Sequence, residues 1–126
     1  METTWLNKSL ETLEKHKWSR PENDSDLLTR CHALRKLPLA KFKIEDLRLM
    51  ISQGIGLRYL IPFAIEKLKE NILAQGDSHQ GDLLQATRKV SSSFWAQYPQ
   101  HRIELNALIT QQLELLSSHG VDAFLV

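Results

Sequence analysis

Cysteine is almost missing from this sequence: Cys31 is the only one in 126 residues. A single thiol cannot close an intramolecular disulfide, so a disulfide scaffold is excluded and a reducing compartment is expected. Five glycines and four prolines are too few for a linker-rich or collagenous chain. No apolar run approaches the ~20 residues that a membrane helix needs. The opening Met1-Glu2-Thr3-Thr4-Trp5 has no basic stretch followed by an apolar one, so no signal peptide is expected. Charge of one sign is lacking too. Sixteen basic residues face fifteen acidic ones, and a net charge of +1 makes no global field for nucleic acid or acidic lipid. What remains, 42% apolar and 25% charged residues, is ordinary for a folded protein. The length fits one domain spanning residues 1–126. The expectation is a soluble, cytoplasmic single domain.

Helical spacing fills the chain, and no alternating strand pattern or internal repeat interrupts it. Leu6, Leu10 and Leu13 predict a first helix from about Thr4 to Lys15. Trp18 to Asp24 reads as a turn. Asp24 or Ser25 suits the N-cap of a second helix, with Leu27, Leu28, Cys31 and Leu34 inward. Pro38 stops it. A third helix runs from Ile44 to Gln53, with Glu45 and Asp46 in its first turn and Gly54 at its end. The fourth is the most apolar and is expected to be central: Leu57, Leu60, Ile61, Ala64, Ile65 and Leu68 keep a 3.6-residue period. Pro62 lies within it, predicting a kink or a locally broken turn in one helix. Gly76 to Gly81 is the clearest loop. Leu83, Leu84, Thr87 and Val90 form a fifth helix with Asp82 as a possible cap, and Ser91-Ser92-Ser93 can interrupt it before Phe94 and Trp95. Pro99 opens a last helix reaching about Ser118, closed by Gly120, and Val121 to Val126 is a short apolar tail. The fold class is all-α, about six helices around one core.

The residues that carry chemistry do not converge. Cys31 and His32 have no ligand partners at zinc spacing. Cys31 lies on an apolar stripe and reads as a buried hydrophobe, His32 as a solvated neighbour. Asp77-Ser78-His79 holds the residue types of a triad, but adjacent residues cannot aim at one another as nucleophile and base. Gly54-x-Gly56 is too short for a phosphate loop. No catalytic, cofactor-binding or metal site is predicted. The local charge pattern says more. Arg30, Arg35, Lys36, Lys41 and Lys43 form a basic stretch with no acidic residue among them. It supports an alternative function, a small helical nucleic-acid-binding or adaptor module, although a solvated basic edge explains it as well. Glu22, Asp24 and Asp26 gather at one loop, and Glu66, Glu70, Asp77 and Asp82 around another. A partner of either cluster is expected to be basic.

Several stretches, taken in order, resemble one family. They are Leu34-Arg35-Lys36-Leu37-Pro38-Leu39, Phe42, Ile44-Glu45-Asp46-Leu47-Arg48, Gln53-x-Ile55-Gly56-Leu57-x-Tyr59-Leu60-Ile61-Pro62-x-Ala64, Gly76-Asp77 and Gly81-Asp82-Leu83-Leu84. From about Trp18 to Trp95 the chain is similar to the helical CdiI-type immunity proteins of bacterial contact-dependent growth inhibition. Lys43 departs from the pattern, standing where a small hydroxyl residue would cap the Ile-Glu-Asp helix. The resemblance implies a non-enzymatic, cofactor-free protein. Its implied partner is the toxic C-terminal domain of a sibling's surface protein, often an RNase, blocked at its active site or RNA-binding surface. It implies no direct contact with nucleic acid or membrane and assigns no oligomeric state. The family pattern assigns no contact residues either. The acidic, loop-rich surface is the expected toxin-binding face: Glu66, Glu70, Asp77, His79 and Asp82. For Asp82 a structural role near a helix start is an equal reading.

Overall fold

One serine divides the first expected helix. The computed structural model describes residues 3–19 and 25–126. In it Thr3–Asn7 is a 3-10 turn, and α1 covers only Leu10–Glu14. Ser9 is extended, and its hydroxyl accepts the Thr12 amide at 3.2 Å. The local cap outcompetes propagation of a longer helix. Leu10 is fully buried, while Leu6 and Leu13 pack at the edge of the core. The Leu39 amide donates to Lys8 at 3.0 Å, and the Glu11 amide to Arg35 at 2.9 Å. The expected turn and acidic group at Arg20, Pro21, Glu22, Asn23 and Asp24 lie outside the described residues.

Helix α2, Asp26–Leu34, starts from Ser25, whose hydroxyl accepts the Leu28 amide at 3.2 Å. Only its second half reaches the core. Cys31 and Leu34 are buried as expected, but Leu27 and Leu28 are each 41% exposed, against the sequence reading. The pattern marks a stripe, and the docking decides how much of that stripe is covered. His32 is also corrected: it is half-buried, with its ring edge-on to Trp18 at 6.5 Å.

Helices α3 (Ile44–Ser52) and α4 (Leu57–Glu70) follow the sequence closely. Gly54 ends α3 at φ +71°, with its amide on Ile51 and the Ile55 amide on Met50, the paired bonds of a left-handed C-cap. At the start of α3, Lys43 has no side-chain acceptor to offer. Asp46 supplies the return bond alone, accepting the Lys43 amide at 2.8 Å. Helix α4 passes through Pro62 without ending and buries Leu60, Ile61, Ala64, Ile65 and Leu68 almost completely. Each of these leucines and isoleucines contributes about 1.5–3 kcal/mol on burial. Helix α4 packs on α3, on α5 (Asp82–Arg88) and on α7 (Pro99–Gln111), so it is central.

The expected fifth and sixth helices are each divided. Helix α6, Ser92–Gln97, is separate from α5, and α8, Leu113–Ser118, follows α7 after a break at Gln112. Among the described residues, eight α-helices therefore replace the six expected, and there is no strand beyond one isolated Ser9–Pro38 bridge. Gly120 closes α8, with the Val121 amide on Leu116 at 2.9 Å.

Candidate functional site

The carboxylates of α3 and α5 face the Gly76–Gly81 loop from behind. Asp82 is 2% exposed and the first residue of α5. It does not cap its own helix. Its carboxylate accepts the amides of Gly76 (2.7 Å), Ser78 (3.0 Å) and His79 (3.2 Å). Glu45, on α3, accepts the Asp77 amide at 2.8 Å. Four consecutive loop amides are thus spent on two buried carboxylates, with Gln75 and Gln80 at the margins. Arg48 closes the arrangement. Its Nε donates to Glu45 at 2.6 Å and lies 3.8 Å from Asp82, and its Nη2 also donates to Glu45. Arg30 donates to Asp46 at 3.0 Å nearby. The Arg48 guanidinium, helped by the Asp77 amide, holds the Glu45 carboxyl below the usual carboxylate range despite its burial. Glu45 in turn raises the Arg48 pKa. Gly76 lets the loop approach α3 closely, since a β-carbon there would collide with the Glu45 carboxylate and press on its backbone.

The five expected contact residues fall into two groups. In the loop, Asp77 and His79 are exposed at the tip and Asp82 is buried beneath it. Ser78 Oγ and His79 Nδ1 lie 3.1 Å apart, a contact between neighbours with no acid placed behind the ring among the described residues. On α4, Glu66 pairs with Lys69 at 3.2 Å and Glu70 with Lys67 at 3.9 Å. Lys69 also reaches Glu104 on α7 at 4.0 Å. The α4 acids are therefore ion-paired to lysines, whereas among the described residues no ion pair engages Asp77 at the loop tip. No ion pair or hydrogen bond joins the two groups among the described residues.

A family model described as CDI immunity proteins matches residues 12–105, three quarters of the chain. The chain belongs to this family. No curated protein and no solved structure matches it. Membership makes it an immunity protein against a contact-dependent inhibition toxin, with a cognate toxin as its binding partner. Such immunity proteins are generally non-enzymatic. The matched span runs from α1 into α7. It includes the pinned loop and excludes α8 and the Val121–Val126 tail. Among the described residues, no helix of the immunity protein is long and apolar enough to cross a membrane.

The structure breaks up the basic stretch from Arg30 to Lys43. Arg35 is 1% exposed, ion-paired to Glu14 at 2.7 Å, bonded to the His16 carbonyl at 3.0 Å and stacked over Trp18. Arg30 is engaged by Asp46. Of this stretch, Lys36, Lys41 and Lys43 are exposed and have no ion pair among the described residues, a sparse set for a phosphate-tracking groove. The residue sequence reasoning undervalued is Glu45. Its Asp77 contact spans 32 positions, and nothing local in Ile44-Glu45-Asp46-Leu47-Arg48 announces it. The spacing of Glu45 and Arg48, three apart on one helix, does announce their pair.

Proposed function

We propose that the cognate toxin is a nuclease domain acting on RNA. In this reading the immunity protein neutralises it in the cytoplasm by covering its active site or its RNA-binding surface, with no chemistry of its own. The contact face is the exposed loop tip, Asp77 and His79, with Glu66 and Glu70 on α4 as a second, separate acidic group. Asp82 serves it from below by fixing the loop. The observation that carries this reading is the pinning of four consecutive loop amides by the buried carboxylates of Glu45 and Asp82. An exposed polar loop held this way loses little conformational entropy on binding. Surfaces that bind RNA phosphates are basic, and carboxylates complement them in both attraction and approach rate.

The test is a binding titration against the toxin domain encoded next to this chain, run beside an RNA-cleavage assay. Nanomolar binding with loss of cleavage is expected. Binding that leaves cleavage intact contradicts occlusion, and a toxin that does not cleave RNA contradicts the nuclease assignment.

A further inference from the structure

The tail Val121–Val126 is held in an unusual way. Its backbone is fastened by side chains of other helices, while two of its large apolar side chains are left in solvent. Arg88 on α5 donates to the Phe124 carbonyl at 2.8 Å. Arg102 on α7 donates to the Val126 oxygen at 2.9 Å. Asn106, one turn along α7, grips the same residue twice: its Nδ2 donates to the Val126 oxygen at 3.1 Å, and its Oδ1 accepts the Val126 amide at 2.8 Å. Val126 and Ala123 pack towards the core, yet Phe124 is 70% exposed and Leu125 58%. Ordering each tail residue costs about 1–2 kcal/mol of backbone entropy. Burial of Phe124 and Leu125 does not offset that cost inside this chain.

The tail and the pinned loop border one recess of about 320 Å³. His79, Gln80 and Gly81 line one side, His119 to Asp122 the other, and Arg88 forms part of its wall. Arg88 also stacks on the Phe124 ring at 5.5 Å. Phe124 is therefore continuous, through one guanidinium, with the loop tip assigned above to toxin contact. We propose that Phe124 and Leu125 are apolar anchors for the cognate toxin domain, presented by a tail that Arg88, Arg102 and Asn106 hold ready. The proposal rests on the loop being part of the toxin-binding face. It gives that face what a polar loop lacks, an apolar centre beside a polar rim, with the aromatic and aliphatic groups that dominate binding energy.

The experiment compares the full chain with the Phe124→Ala/Leu125→Ala variant in a titration with the toxin domain, with thermal melting and size-exclusion chromatography of both. Both side chains are exposed, so melting is expected to stay unchanged while affinity falls about 30-fold or more. Asn106→Ala, which removes two of the four side-chain bonds on the tail without touching the anchors, is expected to cost about 3- to 10-fold. Hydrogen exchange on the unaltered chain provides a reading that needs no variant: the amides of residues 121–126 are expected to slow when toxin binds. Unchanged affinity of the double variant, or unchanged exchange in the tail, overturns the proposal and leaves the loop assignment standing. A wild-type dimer that the double variant dissociates also overturns it, because the anchors would then serve a second copy. Absence of any toxin binding by the wild type overturns both readings together. Binding to a toxin without RNase activity removes the nuclease reading alone.

Discussion

The two groups of acidic residues expected to meet a partner are built in opposite ways. On α4, Glu66 and Glu70 stand in water beside lysines three positions away, and side chains alone hold them. At the loop, Asp77 and His79 ride on a backbone whose amides end on Glu45 and Asp82 inside the protein. Exposed ion pairs contribute about 0–1 kcal/mol and rearrange easily. Buried carboxylates that accept several amides are costly to remove and fix geometry. The first arrangement yields an adaptable, charge-balanced rim. The second yields a fixed acidic feature, which is what a specific partner can read.

The strongest way to break that contrast is Asp82→Ala. It strands three loop amides and one side of Arg48, and it is expected to cost about 3 kcal/mol in denaturant unfolding. Gly76→Ala attacks the same junction by steric conflict with Glu45. It is expected to cost about 2 kcal/mol and to speed hydrogen exchange of the loop.

Acid gives a graded version. The Glu45 carboxyl titrates lower when folded than its reference value of 4.5. The unfolded chain then binds more protons near that pH, so stability rises with pH across this range. The Glu45 contribution is complete above about pH 4.5 and drains away as pH falls through the folded value. Glu45→Gln is expected to flatten the pH dependence of unfolding below 5. His101, whose burial lowers its pKa from 6.5, adds a loss of the same sign at higher pH and is unaffected by that variant. The smallest effect is expected at α4. Lys69→Ala removes the partner of Glu66 and Glu104, and it should change unfolding by no more than about 0.5 kcal/mol, less in high salt.

How much of this was legible in the sequence follows from the range of each interaction. Helices α3 and α4 were readable because their apolar period, the Gly54 stop and the in-phase stripe across Pro62 are all local. The division at Ser9 was readable in principle, since Ser9 stands directly before Leu10 as an N-cap should. The leucine spacing masked it. The exposure of Leu27 and Leu28 was not readable, because it depends on how far α2 lies over the core. The loop was found by its glycines. Its rear support was not, because Glu45 and Asp77 are 32 positions apart and Asp82 turns back to the loop instead of capping its own helix. The resemblance marked Ile44-Glu45-Asp46-Leu47-Arg48 and Gly81-Asp82-Leu83-Leu84 as motifs. The structure shows that they meet through Arg48.

In the proposed complex the pinned loop, more than the α4 acids, reads the toxin. The most direct measurement is the toxin affinity of Asp77→Lys set against that of Glu66→Lys, each with a melting curve to show that the fold is kept. Asp77 hydrogen-bonds in the network only through its backbone amide, so reversing its side chain keeps those bonds; it removes a favourable charge interaction with Arg48, which the melting curve registers. A loss of at least about tenfold is expected for Asp77→Lys and a clearly smaller one for Glu66→Lys. Unchanged affinity for Asp77→Lys, or a larger loss at Glu66, would contradict that reading.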